Sequence, residues 1–401
     1  LKCQECGHEE LDYLANHIME AHGLSAEAYS TKYSGSQLVS QRLLERFAKS
    51  REHITRQHPP SPEALSLVLA GIDFPVNWDV PESACLPLPD HYRLPRHGIL
   101  GEDIQHALIC LKFHRSLYIW GLSGSGKDAF FHAWSAMTRT PAIIKSVKPG
   151  TDIEAWFFSR AFNEHGTFWE EGVVMGALRD GYITESGRRL PYMLLVSDLD
   201  RADRAQAEHM RLITDSIRGR IDGPAGRSYD VFPGSIIVAT GNTAGAGDER
   251  GRMISANPLD ASLMERFNAR FQFHWMDWED EKEIVKAKFP LLFQRCPSAL
   301  DKMAGATKVI RDAIMDDKLH GEFSHRALCS ILEHAEDMIR VGQKKKIPQK
   351  LLRMASRAWV DGLPDQENRD YAIKILDPHI KTLPEGDTSH VGNAPLTPDF
   401  K

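Results

Sequence analysis

The segment GLSGSGKD constrains this chain more than any other: Gly121, four intervening residues, Gly126 and Lys127 lie directly after the apolar run SLYIW and before the helical pattern DAFFHAWSAM. Glycines let a backbone wrap until its N–H groups converge, and the start of the following helix favours negative charge. Between a strand and a helix, this spacing is that of a phosphate-binding loop. Gly121, Leu122, Ser123, Gly124, Ser125, Gly126, Lys127 and Asp128 are therefore the candidate nucleotide-binding residues, with the Lys127 ammonium set to reach the β- and γ-phosphates. A loop of this kind needs a sheet behind it. The runs AIIKSV, YMLLVSD, SIIVATGN and FQFHW supply further strands that alternate with helical patterns, so the expected fold class is α/β with a five-stranded parallel sheet.

A chain of 401 residues is too long for a single core. It reads as a Cys/His-containing head with a helical stretch (residues 1–58), a Pro-rich linker (59–95), the α/β domain (96–275), a helical domain (276–362) and a polar tail (363–401) whose last twenty or so residues are expected to be mobile. The linker reading rests on HPPSPEA and PESACLPLPDHYRLP, whose prolines favour extended chain. With 42% hydrophobic and 26% charged residues, the chain is not a disordered protein. No stretch approaches the ~20 uninterrupted apolar residues of a membrane helix, and the first residues, LKCQECGHEE, are polar; no membrane partner and a cytoplasmic location are expected. Lys and Arg number 49 against 55 Asp and Glu, and this net charge of -6 excludes a surface that coats nucleic acid, leaving only local contact.

Position 128 departs from the loop's pattern. Phosphate loops follow the Lys with Ser or Thr, whose hydroxyl ligates Mg²⁺, and here Asp128 stands in that place. A carboxylate is also a hard oxygen ligand, but it adds negative charge beside the phosphates. The other half of the site is expected on the apolar strand with an acidic end, MLLVSDLDRAD, Met193–Asp203. After the loop come, in order, SDLDRA, GNTAGAGD (Gly241–Asp248) and MERF (Met264–Phe267). Over residues 96–335 this ensemble resembles the AAA+ ATPases of the MoxR/CobS-like branch, and together with the Cys/His head it is similar to phage-encoded CobS-like proteins.

The resemblance implies a P-loop AAA+ core, a C-terminal helical lid and an ATP·Mg²⁺ site. In that family the second strand ends in Asp-Glu, an apolar residue, Asn or Asp, then Arg-Ala. Reading LDRA (Leu199–Ala202) in register puts Ser197 at the metal-associated position and Asp198 at that of the catalytic carboxylate. The other register makes Asp198 the metal carboxylate and Asp200 the base; the first is preferred because it needs no gap before Arg201. It also suggests an exchange, with a carboxylate at 128 and a hydroxyl at 197 where the family has the reverse, so that Asp128 and Ser197 together serve Mg²⁺. The resemblance further implies that Asn242 is the polar sensor of the γ-phosphate, Arg266 the arginine finger offered to a neighbouring subunit, and Arg326 the lid's sensor arginine. Arg270 either shares the finger's role or makes a surface ion pair. Residues 168–191 resemble the family's helix and hairpin insertion, which points to the ring centre or the substrate. Phe157, Phe158, Phe168 and Trp169 read as substrate-gripping or as core aromatics, with core favoured.

The head carries Cys3 and Cys6, then ten residues, His17, four residues and His22. Two thiolates and two imidazoles at such spacing close a tetrahedral Zn²⁺ site, and the following HGLSAEAYSTKYS resembles the Ros/MucR type of bacterial finger. Residues 1–22 offer Lys2 against Glu5, Glu9, Glu10, Asp12 and Glu20, which suits protein docking better than DNA reading. Basic residues come later, at Arg42, Arg46, Lys49, Arg51 and Arg56, and leave the adjoining helix open to nucleic acid. Cys85, Cys110, Cys296 and Cys329 read as isolated small apolar residues.

The function expected from these residues is that of an ATP-binding and ATP-hydrolysing ring that remodels a partner. The resemblance implies a hexamer and a partner with a von Willebrand A-type domain. Two alternatives stand beside it: a nucleotide-dependent assembly scaffold with weak hydrolysis, since positions 128, 197 and 198 depart from the usual chemistry, and a CobS-like metal-chelatase ATPase subunit.

Overall fold

The computed structural model describes residues 2–7, 18, 21–22, 29, 32–33 and 66–381, apart from 165, 214–218, 248–255, 296, 342–352 and 354–355. His17, Cys296, the helical stretch of residues 36–53, the basic residues 42–56 and the tail 382–401 lie outside the described residues. The chain divides into two compact units, Leu1–Trp78 and Asp79–Lys401.

In the first unit, β1 (Ser66–Leu69) and β2 (Ile72–Pro75) form an antiparallel hairpin with Leu69 opposite Ile72. Ala70 and Gly71, at φ +46° and +84°, make the two-residue turn whose positive φ matches the twist of the strands. This corrects the reading of residues 59–95 as linker throughout. The apolar positions of Leu67–Val76 outweigh the flanking prolines because the tight turn lets the segment pair with itself.

The second unit begins with α1 (Gly98–Lys112), followed by β3 (Leu117–Trp120), α2 (Lys127–Thr138) and β4 (Ala142–Ser146). Next come the hairpin β5 (Phe158–Asn163) and β6 (Gly166–Glu171), α3 (Val173–Asp180), and the short pair β7 (Tyr182–Ile183) and β8 (Arg189–Leu190). The α/β part closes with β9 (Met193–Ser197), α4 (Arg204–Ile213), β10 (Arg220–Asp222), β11 (Ser228–Asp230), β12 (Ile236–Gly241), α5 (Ala261–Met264) and β13 (Ala269–Gln272).

All five strands expected from the sequence lie in one parallel sheet, in the order β13-β3-β12-β9-β4. Every residue of β9 and β12 is buried, as central parallel strands covered on both faces require. The last strand is ARFQ rather than the expected FQFHW, because its ladder with Leu117–Trp120 runs from Ala269 to Gln272. Phe157 and Phe158 are buried in the core cluster with Leu194, Val196 and Ile237, so neither grips a substrate. Phe168 is exposed, and Trp169 is half-buried under the Arg160 guanidinium, 5.0 Å from its ring centre.

The helical part comprises α6 (Trp278–Lys288), α7 (Pro290–Arg295), α8 (Ser298–Met315), α9 (His325–Arg340) and α10 (Gln366–Lys381). Asp277 and Ser324 cap α6 and α9 by accepting the N–H groups of Glu279 (2.9 Å) and Ala327 (3.3 Å). Ala372 and Leu376 of α10 are buried with Phe289, Ile310, Phe323 and Leu332. The helical part therefore continues to Lys381, which corrects the boundary at 362. Among the described residues, no helix is long and apolar enough to cross a membrane.

Candidate functional site

The sheet register brings the site together. Gly241 pairs with Trp120 and Ala239 with Val196, so the loops leaving β3, β9 and β12 emerge side by side at the carboxyl edge. In open parallel sheets, ligands bind at this edge.

After β3 the chain turns through Gly121, whose N–H donates to Gly241 O at 3.2 Å. A Cβ at Gly121 would lie 2.1 Å from Phe273 O, so only glycine permits this approach. Gly124 has φ +69°, and its Cβ would lie 2.4 Å from the Ser324 side chain at the start of α9. Gly126, at φ +89°, opens α2, and Phe130, Phe131, Trp134 and Met137 bury that helix's inner face.

Lys127 is buried, and its Nζ donates to the carbonyl oxygens of Gly121 (2.8 Å) and Leu122 (3.0 Å) and to Asn242 Oδ1 (3.3 Å). Burial lowers its pKa, and the negative charges of Asp128, Asp198, Asp200 and Glu322 oppose that shift. Thr240 Oγ1 donates to Asp128 Oδ1 at 2.6 Å, which ties the start of α2 to β12. Ser197 is 3% exposed, and its Oγ has no hydrogen-bond partner among the described residues.

The two aspartates that follow Ser197 differ in setting. Asp198 has left-handed backbone at φ +57° and lies 3.8 Å from Arg201 Nε. Burial raises its pKa; Arg201 pulls it back, while Asp128 and Asp200 push it further up. Asp200 is fully buried, and its Oδ2 accepts the N–H groups of Asn242 (2.7 Å) and Thr243 (2.9 Å) and the Thr243 hydroxyl (3.2 Å). It fixes the loop after β12 and does not line the cleft described next.

A cleft of ≈ 740 Å³ runs between the loop and the helical part. Ser123, Gly124, Gly126, Lys127, Asp128, Asp198, Thr240 and Asn242 line one side, and Lys288, His325, Arg326, Cys329, Ser330 and Glu333 the other. Its volume falls in the range of small-molecule sites. Arg326 is exposed to the cleft and has no hydrogen-bond or ion-pair partner among the described residues. Arg266 does not line it. Of the sequence-proposed nucleotide-site residues, Ser123, Gly124, Gly126, Lys127, Asp128, Asp198, Asn242 and Arg326 line this cleft, and Gly121, Leu122, Ser125, Ser197, Asp200 and Arg266 do not.

Sequence reading missed His325 and Cys329. His325 Nδ1 bonds Glu281 Oε1 at 2.8 Å, and its Nε2 lies 3.2 Å from Cys329 Sγ. Arg311 donates to both oxygens of Glu281, at 2.7 and 2.9 Å. Burial alone would lower the His325 pKa, but the bonds to Cys329 and Glu281 hold it at about 9. Cys329 is buried in the core of the helical part, as expected of a small apolar residue, and it also faces His325; the signal for that contact was its i, i+4 spacing on one helix face.

In the head, Gly7 N–H donates to Cys3 O at 2.9 Å, closing a turn that brings Cys6 back toward Cys3. Ligand atoms of Cys3, Cys6 and His22 all lie within 4.8 Å of one another, and Cys3 Sγ is 3.5 Å from His22 Nε2. A tetrahedral Zn²⁺ with ordinary Zn–S and Zn–N bonds has an S···N edge of about 3.6 Å. Burial pushes the Cys3 thiol up, yet hydrogen bonds from the Cys6 and Glu5 backbone and from the Tyr29 hydroxyl bring it down to about 6. A sulfur so inclined to ionise suits a metal.

No family model and no curated protein matches the sequence. Among solved structures, the chain is similar to the RuvB Holliday junction branch migration motor of Thermotoga maritima (16% identity, 65% of this chain and 68% of that one, TM-score 0.40). A point mutant of the same RuvB gives 16% identity over 67% and 71% of the chains, with TM-score 0.42. NtrX from Brucella abortus, solved in complex with ADP, gives 14% identity over 73% and 64%, with TM-score 0.42. The unit Asp79–Lys401 has an α/β architecture, a five-stranded parallel sheet flanked by helices and followed by a helical region.

Proposed function

We propose that this chain binds ATP with Mg²⁺ in the cleft between the phosphate loop and the helical lid, hydrolyses it, and uses the cycle to remodel a partner. The observation that carries this reading is the single cleft lined by Lys127, Asp198, Asn242 and Arg326. Loop N–H groups and the start of α2 receive the phosphates. Lys127 exchanges the carbonyls of Gly121 and Leu122 for phosphate oxygens. Asp198 orients the attacking water as general base, Asn242 positions that water near the γ-phosphate, and Arg326 couples the lid to nucleotide state. Asp200 holds the N–H groups of Asn242 and Thr243 on Oδ2 and does not line the cleft, which supports the register with Asp198 as base. Arg266 lies away from its own cleft, as a finger offered to a neighbouring copy must, and a hexameric ring of MoxR/CobS-like type follows from the resemblance.

Asp128 and Ser197 fit an Mg²⁺ shell: one is a carboxylate beside the loop, the other a buried hydroxyl without a partner among the described residues. Mg²⁺ supplies charge neutralisation at the β- and γ-phosphates. The exchange of contributors is tested with Asp128→Thr, Ser197→Asp and their combination. The double variant is expected to retain more Mg²⁺-dependent ATP affinity and turnover than either single one; strictly additive losses would overturn the exchange.

Asp198 is one methylene shorter than Glu and sits beside Arg201, which favours the second reading, an assembly scaffold with weak hydrolysis. Measuring turnover beside nucleotide-dependent assembly separates the two: rings that bind ATP without turnover favour the scaffold. A CobS-like chelatase role, a von Willebrand A-type partner, a phage origin and a location in the cytoplasm rest on the resemblance and composition alone. The head is proposed to hold Zn²⁺ through Cys3, Cys6, His22 and His17 and to serve docking. One zinc per purified chain is expected by metal analysis, falling to trace levels in Cys3→Ser; a zinc-free chain from zinc-replete cells would sink this.

A further inference from the structure

The lid side of the cleft carries a thiol, an imidazole and a carboxylate in series. Cys329 Sγ lies 3.2 Å from His325 Nε2, His325 Nδ1 bonds Glu281 Oε1 at 2.8 Å, and the Arg311 guanidinium clamps both Glu281 oxygens. Glu281 is fully buried, so its carboxylate fixes the ring and leaves Nε2 to the sulfur. Both Cys329 and His325 line the cleft, in the company of Lys127, Lys288 and Arg326. Cys329 is itself only 5% exposed, so a reagent must reach it through the cleft, an approach that Cys85 and Cys110 do not share. Burial pushes the Cys85 thiol up to about 11 and also raises that of Cys110, and neither lines the cleft.

We propose that Cys329 is a modification site, a thiol that exchanges with small anionic disulfides entering the nucleotide cleft and thereby closes it to nucleotide. The Cys329 sulfur attacks one sulfur of the disulfide, the S–S bond breaks, and a mixed disulfide forms. The protonated His325 ring gives its Nε2 proton to the departing thiolate and takes up the proton that the Cys329 thiol releases, so the ring ends as it began. Along the cleft Lys127, Arg201, Lys288 and Arg326 outnumber Asp128, Asp198 and Glu333, a balance that favours an anionic disulfide. The adduct occupies the space between Lys127 and Arg326 that phosphates would need, and this last step rests on the cleft being the nucleotide site.

The test exposes the whole chain to glutathione disulfide and follows each cysteine by mass spectrometry. In the wild-type protein, Cys329 is expected to form the mixed disulfide at least about 10-fold faster than Cys85 or Cys110. His325→Asn, checked for folding by its melting curve, slows Cys329 about 10-fold while leaving the other two unchanged. Equal rates for the three thiols in wild type overturn the proposal without recourse to any variant. ADP binding is measured separately by calorimetry. If ADP binds yet does not protect Cys329, the shared cleft is overturned; if ADP does not bind, the nucleotide reading falls, and the exchange rates without nucleotide still decide the thiol's reactivity.

Discussion

Lys127→Met is expected to raise the dissociation constant for ADP at least about 100-fold, roughly 2.7 kcal/mol, while the protein stays folded. The Lys127 ammonium is already desolvated and lowered in pKa by burial, so its cost has been met within the folded chain. Nearby carboxylates and the Gly121 and Leu122 carbonyls hold it, and phosphates bring stronger acceptors to the same place. Two unit charges at about 4 Å interact by about 4 kcal/mol at an effective dielectric constant near 20, enough for the predicted loss. Stability moves little, because the variant removes a buried charge along with the bonds that held it. Calorimetry with ADP and melting curves on both proteins check this. A dissociation constant within threefold of wild type, in a folded variant, would remove Lys127 from the site.

The sheet and the loop were legible because each depends on local pattern. Parallel strands covered on both faces are unbroken apolar runs, so MLLVS and IIVATG announce themselves. Glycine positions announce the loop, since Gly121 and Gly124 have no room for a side chain. What stayed hidden depends on partners distant in sequence. Asp200 reads as a rival base until the N–H groups of Asn242 and Thr243 occupy its Oδ2. Cys329 reads as a small apolar residue until Glu281, on another helix, orients His325 against it. The helix Gln366–Lys381 is hidden by its polar composition and by Pro378, and it becomes evident only from the burial of Ala372 and Leu376. In each case the deciding contact comes from another element.

Glu281→Ala is expected to destabilise the protein by about 3–5 kcal/mol, because it strands the buried Arg311 guanidinium and leaves His325 without its acceptor. Arg311 would keep its bond to Phe323 O and its position 5.3 Å over the Trp275 ring, but neither neutralises its charge. The same network makes stability depend on pH. His325 has its pKa raised to about 9, while an unfolded histidine titrates near 6.5. The stabilisation from its protonated ring is complete below about pH 6.5 and is lost as pH rises through about 9, a loss of order 3 kcal/mol. Glu281 acts at the other end: its pKa is lowered, burial opposing and His325 and Arg311 prevailing, so its contribution is present above the ordinary carboxylate range and fades as pH falls. Urea unfolding at pH 6.5 and pH 9 is therefore expected to show a drop in wild type that His325→Asn lacks. A drop of equal size in both proteins would mean that the His325 imidazolium does not hold the lid helices together.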